Sequence, residues 1–176
     1  MDLHDFEGQE LYFDEHMSEE VAELINNASL QYGTPEAEQS LLSAFFLAPD
    51  NFSVLVALYR YYYYQHQLEK ALVIANHSLR FSGQRVQFPK SWRGLTMDHV
   101  GAGAILSMSM VRFYLLALKG AGFINMRLHR FIEAEAMLAK VVELDASDRL
   151  GATPLLKFAR EHLADDESQP AKAVEV

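Results

Sequence analysis

Along most of this chain apolar residues recur every three or four positions, and the register breaks at short polar turns. Val21, Leu24, Ile25, Ala28 and Tyr32 form the first stripe, a spacing that predicts an amphipathic helix. Ser18 followed by Glu19 and Glu20 predicts its start, because a hydroxyl can accept from the unpaired backbone N–H groups and acids suit the first turn. Gly33 predicts its end, in the left-handed conformation that helix C-termini favour. Thr34 and Pro35 then start a second helix carrying Ala37, Leu41, Leu42, Ala44, Phe45 and Leu47, and Pro49-Asp50 stops it. The product is a helical hairpin.

The hairpin repeats. Shifted by 34 residues, Val21, Leu24 and Ala28 become Leu55, Leu58 and Tyr62, and Ala37, Leu41 and Ala44 become Ala71, Ala75 and Ser78. A further shift of 63 from the second unit finds Leu118 and Gly122, then Ala134, Leu138, Val141, Leu144 and Ala146. Small residues at fixed places let two helices approach closely, where Leu would hold them apart. A 34-residue period with this skeleton is similar to the tetratricopeptide repeat (TPR). The segment from Ser18 to Arg85 resembles two tandem TPR units, with Ala37 and Ala71 the most diagnostic positions, and Phe131–Asp148 resembles the second helix and turn of a third. The pattern departs from the family in lacking its early Trp, in placing Asn125 where an aromatic is usual, and in replacing the turn Pro with Gly83 and Ala146.

The resemblance implies an all-α fold, a right-handed superhelical stack of antiparallel helix pairs with a C-terminal capping helix. Its units are expected at about 18–51, 52–85 and 115–148, interrupted by an insertion at 86–114 and closed by a helix at 149–164. Residues 1–17, with Leu3, Phe6, Leu11, Phe13 and Met17 among acids, are expected to form an acidic extension or cap, and residues 165–176 a flexible solvated tail. In the insertion, Asp98 is the expected cap of a helix that starts near His99 and runs on into the third unit. The apolar run from Val100 to Leu118 has the length of a membrane span. Arg112 within it and the small residues Gly101, Gly103, Ser107 and Ser109 favour instead a buried central helix packed on both sides.

Composition narrows the chemistry. The 176 residues include no cysteine, which excludes disulfides, thiolate metal sites and cysteine nucleophiles and is compatible with a reducing cytosol. The acidic N-terminus lacks the basic and apolar regions of a secretory signal, so a cytoplasmic location is expected. The net charge of −9 argues against general nucleic-acid binding, which needs clustered Lys and Arg. That average conceals an asymmetry: residues 1–59 carry −12, residues 60–131 carry +8 and residues 132–176 carry −5. A basic middle suits either solvated helix faces or a surface for acidic peptide. The seven histidines show no metal-ligand spacing, no nucleophile elbow is present, and the Gly101-Ala-Gly103 stretch lacks the strand and remaining residues of a phosphate loop. Neither catalysis, nor a cofactor, nor a metal is expected.

The candidate site follows from the repeat register. In the TPR family the first helix of each unit lines an inner groove where peptides bind, which by resemblance places Asn26, Leu30, Arg60, Tyr63, Tyr64, Lys119, Phe123, Met126 and Arg127 inward. Four consecutive tyrosines, Tyr61 to Tyr64, point in four directions on a helix. Tyr62 takes the packing position and Tyr61 is expected to lean on the following helix, leaving Tyr63 and Tyr64 for the groove. Aromatics with Arg and Met suit a recognition surface. Trp92, among basic residues in the long loop, is a second candidate, either as an exposed anchor or as a plug against a neighbouring repeat. The carboxylate clamp of chaperone-binding TPR domains is not reproduced, since Ala22 and Val56 stand where Lys is needed although Asn26 fits. The expected function is a non-catalytic adaptor gripping an acidic peptide or helix of another protein. The alternatives are a structural subunit of an obligate oligomer such as a homodimer, and a TPR chaperone of the secretion type.

Overall fold

In the computed structural model, which describes residues 17–168, every regular element is helical. The seven α-helices are α1 (Glu19–Leu30), α2 (Pro35–Leu47), α3 (Phe52–Tyr64), α4 (Leu68–Arg85), α5 (Met97–Arg127), α6 (Phe131–Leu144) and α7 (Thr153–Ser168), with a 3-10 turn at Trp92–Gly94. Each helix packs chiefly on the helix before it and the helix after it. The expected caps act as such: Ser18 Oγ accepts from the Val21 N–H at 3.3 Å and Thr34 Oγ1 from the Ala37 N–H at 3.4 Å. The expected cap at residues 1–17 lies outside the described residues except for Met17, which packs half-buried on the first core. The expected solvated tail begins later than 165, since α7 continues to Ser168.

Three apolar clusters fill the interior. The first joins α1 to α4 around Leu41, Leu55, Leu58 and Tyr62, and the second joins α4, α5 and α6 around Leu115, Leu118 and Val141. The third seats Leu156 and Ala159 of α7 against Met126 and Leu138. Ala37, Ala71 and Ala134, which correspond in the repeat register, are all fully buried. A Cβ added at Gly122 would stand 3.0 Å from Leu138 Cγ, so the close contact of α5 with α6 depends on that missing atom. Ion pairs on the outside link α2 to α4 through Glu38 and Lys70 at 2.7 Å, α4 to the turn before α6 through Glu69 and Arg130 at 2.5 Å, and α6 to α7 through Glu135 and Arg160 at 2.9 Å.

The insertion is folded down. Val86, Phe88 and Leu95 are buried in the second core, and the Phe88 ring meets Tyr114 edge-on at 4.9 Å. Thr96, not Asp98, caps α5; its N–H donates to His99 Nδ1 at 3.3 Å. The expected continuous helix is broken at Ser107, whose backbone is extended (φ −164°, ψ 106°). The Ser107 hydroxyl accepts from the Met110 N–H at 3.3 Å and so starts the second half as a new helix. Burial changes a few residues later, at Val111, since Met108 is still 51% exposed. From Val111 the helix is packed by α4 and α6, as expected, but earlier Ile105 is 87% exposed and Leu106 54%. By length and composition α5 could cross a membrane, with a mean hydropathy of 1.6 over 18 residues.

Candidate functional site

Side chains of α3 and of the second half of α5 come together around Tyr63. Tyr59, one turn earlier on α3, stacks nearly parallel to it (6.5 Å between centroids, 5° between planes), and Tyr64 meets it edge-on at 5.2 Å. From α5, Phe123 closes to 5.8 Å. The Arg127 guanidinium sits 5.9 Å from the Tyr63 ring and donates to its hydroxyl at 3.3 Å. Tyr59 is held by a hydrogen bond from its hydroxyl to the Gly120 carbonyl at 3.4 Å, and burial pushes its phenol well above the ordinary tyrosine range. A side chain at position 120 would meet that hydroxyl, with Cβ 3.1 Å away. The cluster is built from inside outward: Tyr59 is seated, Tyr63 and Phe123 are half-buried, and Tyr64 and Arg127 reach solvent.

Below it, Arg60 and Tyr59 border an apolar cavity of about 50 Å³ between α3, α4 and α5. That volume holds a water or two. It is a packing gap, and any ligand would have to lie on the rings above it.

Of the residues the repeat register places inward, Tyr63, Tyr64, Phe123 and Arg127 meet, and Arg60 borders the same face. Asn26 is exposed on α1, a helix pair away. Lys119 and Met126 require correction. The Lys119 ammonium donates to the Leu150 carbonyl and so ties α5 to the turn before α7. In that turn burial raises the Asp148 carboxyl, but the N–H groups of Thr153 and Ala152, with Lys119's charge, bring it below the usual range on balance. Met126 is 8% exposed because α7 covers it. Trp92 takes the plug position: its half-buried ring packs on the second core, and Arg93 stacks over it at 4.2 Å while pairing with Glu133 at 2.5 Å.

The tyrosine run also divides differently in one respect. Tyr62 is buried as expected, but Tyr61 leans back, not forward; its hydroxyl donates to the Thr34 carbonyl at 3.2 Å and its ring meets Tyr32 at 5.9 Å. Tyr59 is absent from the residues singled out in the sequence, although its place four positions before Tyr63 puts it on the same helix face. Among the described residues no group of three or more His, Asp or Glu side chains is placed to hold a metal ion.

No protein-family model matches the chain. No solved structure matches it. Among curated proteins, the "Uncharacterized 19.8 kDa protein in nifW 5'region" of Azotobacter chroococcum mcd 1 is 49% identical over 165 residues, which cover 94% of this chain and 92% of that protein. Identity at that level over nearly the whole of both chains means that this chain belongs to the family of the Azotobacter chroococcum protein.

Proposed function

We propose that the chain is a non-catalytic, cytoplasmic, TPR-like scaffold, a right-handed stack of helix pairs that binds an acidic segment of another protein along α3 and α5. The observation that carries this reading is the Tyr59–Tyr63–Tyr64–Phe123 cluster with Arg127 bonded to its centre. The repeat assignment draws support from the burial of Ala37, Ala71 and Ala134, and from left-handed backbone in the turns at Gly33, His66 and His129. The last two recur at the same interval of 63 residues as the apolar skeleton.

Rigid aromatic rings offer contact area at small cost in side-chain entropy, and arginine beside them supplies charge selection. Arg127 is oriented by Tyr63 before any partner arrives, so less freedom is lost when it pairs with a carboxylate. Arg60 adds a second positive charge on the same face. The name of the Azotobacter chroococcum relative places it in the nifW 5' region. Products of genes in the corresponding neighbourhood are therefore the first partners to test.

The test is capture of partners from native lysate by the wild-type chain and by a variant combining Arg60→Glu, Tyr63→Ala and Arg127→Glu. The variant is expected to lose at least about tenfold of the captured partner, equivalent to about 1.4 kcal/mol. Undiminished capture by a variant that remains folded would refute the assignment.

A further inference from the structure

The helix α2 is apolar on two opposite faces. Ala37, Leu41 and Ala44 are buried on its core side, where it packs on α1 and α3. On the outer side Gln39, Leu42 and Phe46 follow Pro35 at spacings of four, three and four, the seam spacing of a helix that pairs with another helix. Phe46 is 86% exposed there, the adjoining Leu47 48% and Leu42 45%. With Glu20 and Leu24 of α1 as its second wall, the seam lines an open groove of about 740 Å³. A helix that is apolar on both sides is made to be packed on both sides, and a bare apolar face marks an interaction.

Charge selects the occupant. Glu20 stands at the groove, and Glu23, one turn further along α1, is exposed beside it. Glu38 also lines the groove but is paired with Lys70. From residue 17 to residue 59 the sequence holds six acids and no Lys or Arg, so no cation of this hairpin answers Glu20 or Glu23. An anionic lipid surface or an acidic segment would be repelled there. We propose that the groove takes a basic amphipathic helix of another protein. The partner's apolar stripe seats on Leu24, Leu42 and Phe46, and Lys or Arg along one edge of it pairs with Glu20 and Glu23. Pro35 and Phe46 lie 11 positions apart, about 16 Å along the helix, so about three turns of the partner are engaged.

This surface is separate from the Tyr63 face and prefers the opposite charge. Its two kinds of contact respond differently to salt, which screens the exposed ion pairs and leaves the apolar seat in place.

The probe is a fluorescent synthetic peptide of about 16 residues, long enough to form a helix once bound, with Leu along one face and Lys along its edge. A second peptide carries Glu in place of Lys. The full-length chain is expected to bind the Lys peptide one-to-one and at least about tenfold more tightly than the Glu peptide, with the difference narrowing at high salt. Phe46→Asp is expected to weaken the Lys peptide at least about tenfold although it makes the chain more acidic, which separates seating in the groove from general attraction between opposite charges. Glu20→Lys combined with Glu23→Lys is expected to reverse the preference between the two peptides. All three positions are exposed, so helical circular dichroism is expected to stay the same. The variant combining Arg60→Glu, Tyr63→Ala and Arg127→Glu is expected to keep its affinity for the Lys peptide, so failure at this groove and failure at the Tyr63 face are read separately. Four results would overturn the proposal: no binding of the Lys peptide, equal affinity for the two peptides, undiminished binding by a folded Phe46→Asp chain, or a wild-type dimer in light scattering that Phe46→Asp dissolves, which would make a second copy the occupant.

Discussion

Two glycines in α5, separated by a single residue, have opposite surroundings. A Cβ at Gly101 would meet no atom within 4 Å, whereas one at Gly103 would stand 2.6 Å from Phe88 Cε1 and 3.2 Å from Val111 Cγ2. In the open position glycine only loosens the helix, and alanine there restores about 0.5–1 kcal/mol. In the closed position the added methyl displaces a buried ring that also leans on Tyr114, which costs about 1–3 kcal/mol. Urea denaturation is therefore expected to show Gly101→Ala stabilised and Gly103→Ala destabilised relative to the parent chain. Equal shifts in the two variants would mean that Phe88 does not fill the space against α5. Nothing in the apolar run distinguishes the two positions, because their difference lies in a loop residue that is distant along the helix axis until the insertion folds back.

At the level of elements, the helix ends explain what could and could not be read from sequence. Caps made by local chemistry were legible: Ser18, Thr34 and Pro35 act within three residues of themselves. Tyr63 and Phe123 were expected on one inward face, and their rings lie 5.8 Å apart, a contact between two helices that no local pattern shows. Ends that depend on a left-handed residue other than glycine were not legible. After α3, His66 sits at φ 57°, with the Gln67 N–H donating to the Tyr62 carbonyl at 2.8 Å; after α5, His129 and Arg130 repeat the arrangement, also at 2.8 Å. A non-glycine residue there costs about 1–2 kcal/mol, while glycine costs about 0.5–1 kcal/mol in chain entropy. Replacing the exposed His66 by Gly is thus expected to raise stability by about 0.5–1 kcal/mol in thermal or urea unfolding, and a loss would show that its side chain holds the turn. The break at Ser107 was hidden for a similar reason, since a serine in an apolar run reads as helix until its hydroxyl is seen capping the next turn. Lys119 and Met126 were misplaced because α7 and its preceding turn, the elements that engage them, are remote in sequence.

Across the whole molecule, the ionisable groups set both limits of the pH range. Hydrogen bonding from Lys70 holds the Glu38 carboxyl below its ordinary range, and the turn donors do so for Asp148 on balance. Groups with lowered values contribute stability above the carboxylate range of the unfolded chain, and that contribution is lost as pH falls through their folded values. Burial acts in the other direction on the tyrosines. It is the main cause that pushes Tyr62 and Tyr114 up from 10.0 to about 12, with the Glu38 charge adding to the effect at Tyr62. Below pH 10 these phenols are neutral in both states and their burial is unopposed. Above it the unfolded chain ionises first, so stability falls with each step of pH until the folded phenols ionise near 12. Urea midpoints measured at stepped pH are expected to fall from about pH 10 upward, in parallel with the appearance of tyrosinate absorbance. Tyr62→Phe and Tyr114→Phe should each flatten this alkaline limb while leaving the acid limb in place, because Phe keeps the buried ring and removes the titrating hydroxyl. An alkaline limb unchanged in both variants would assign the loss to other groups and place the two phenols in contact with solvent.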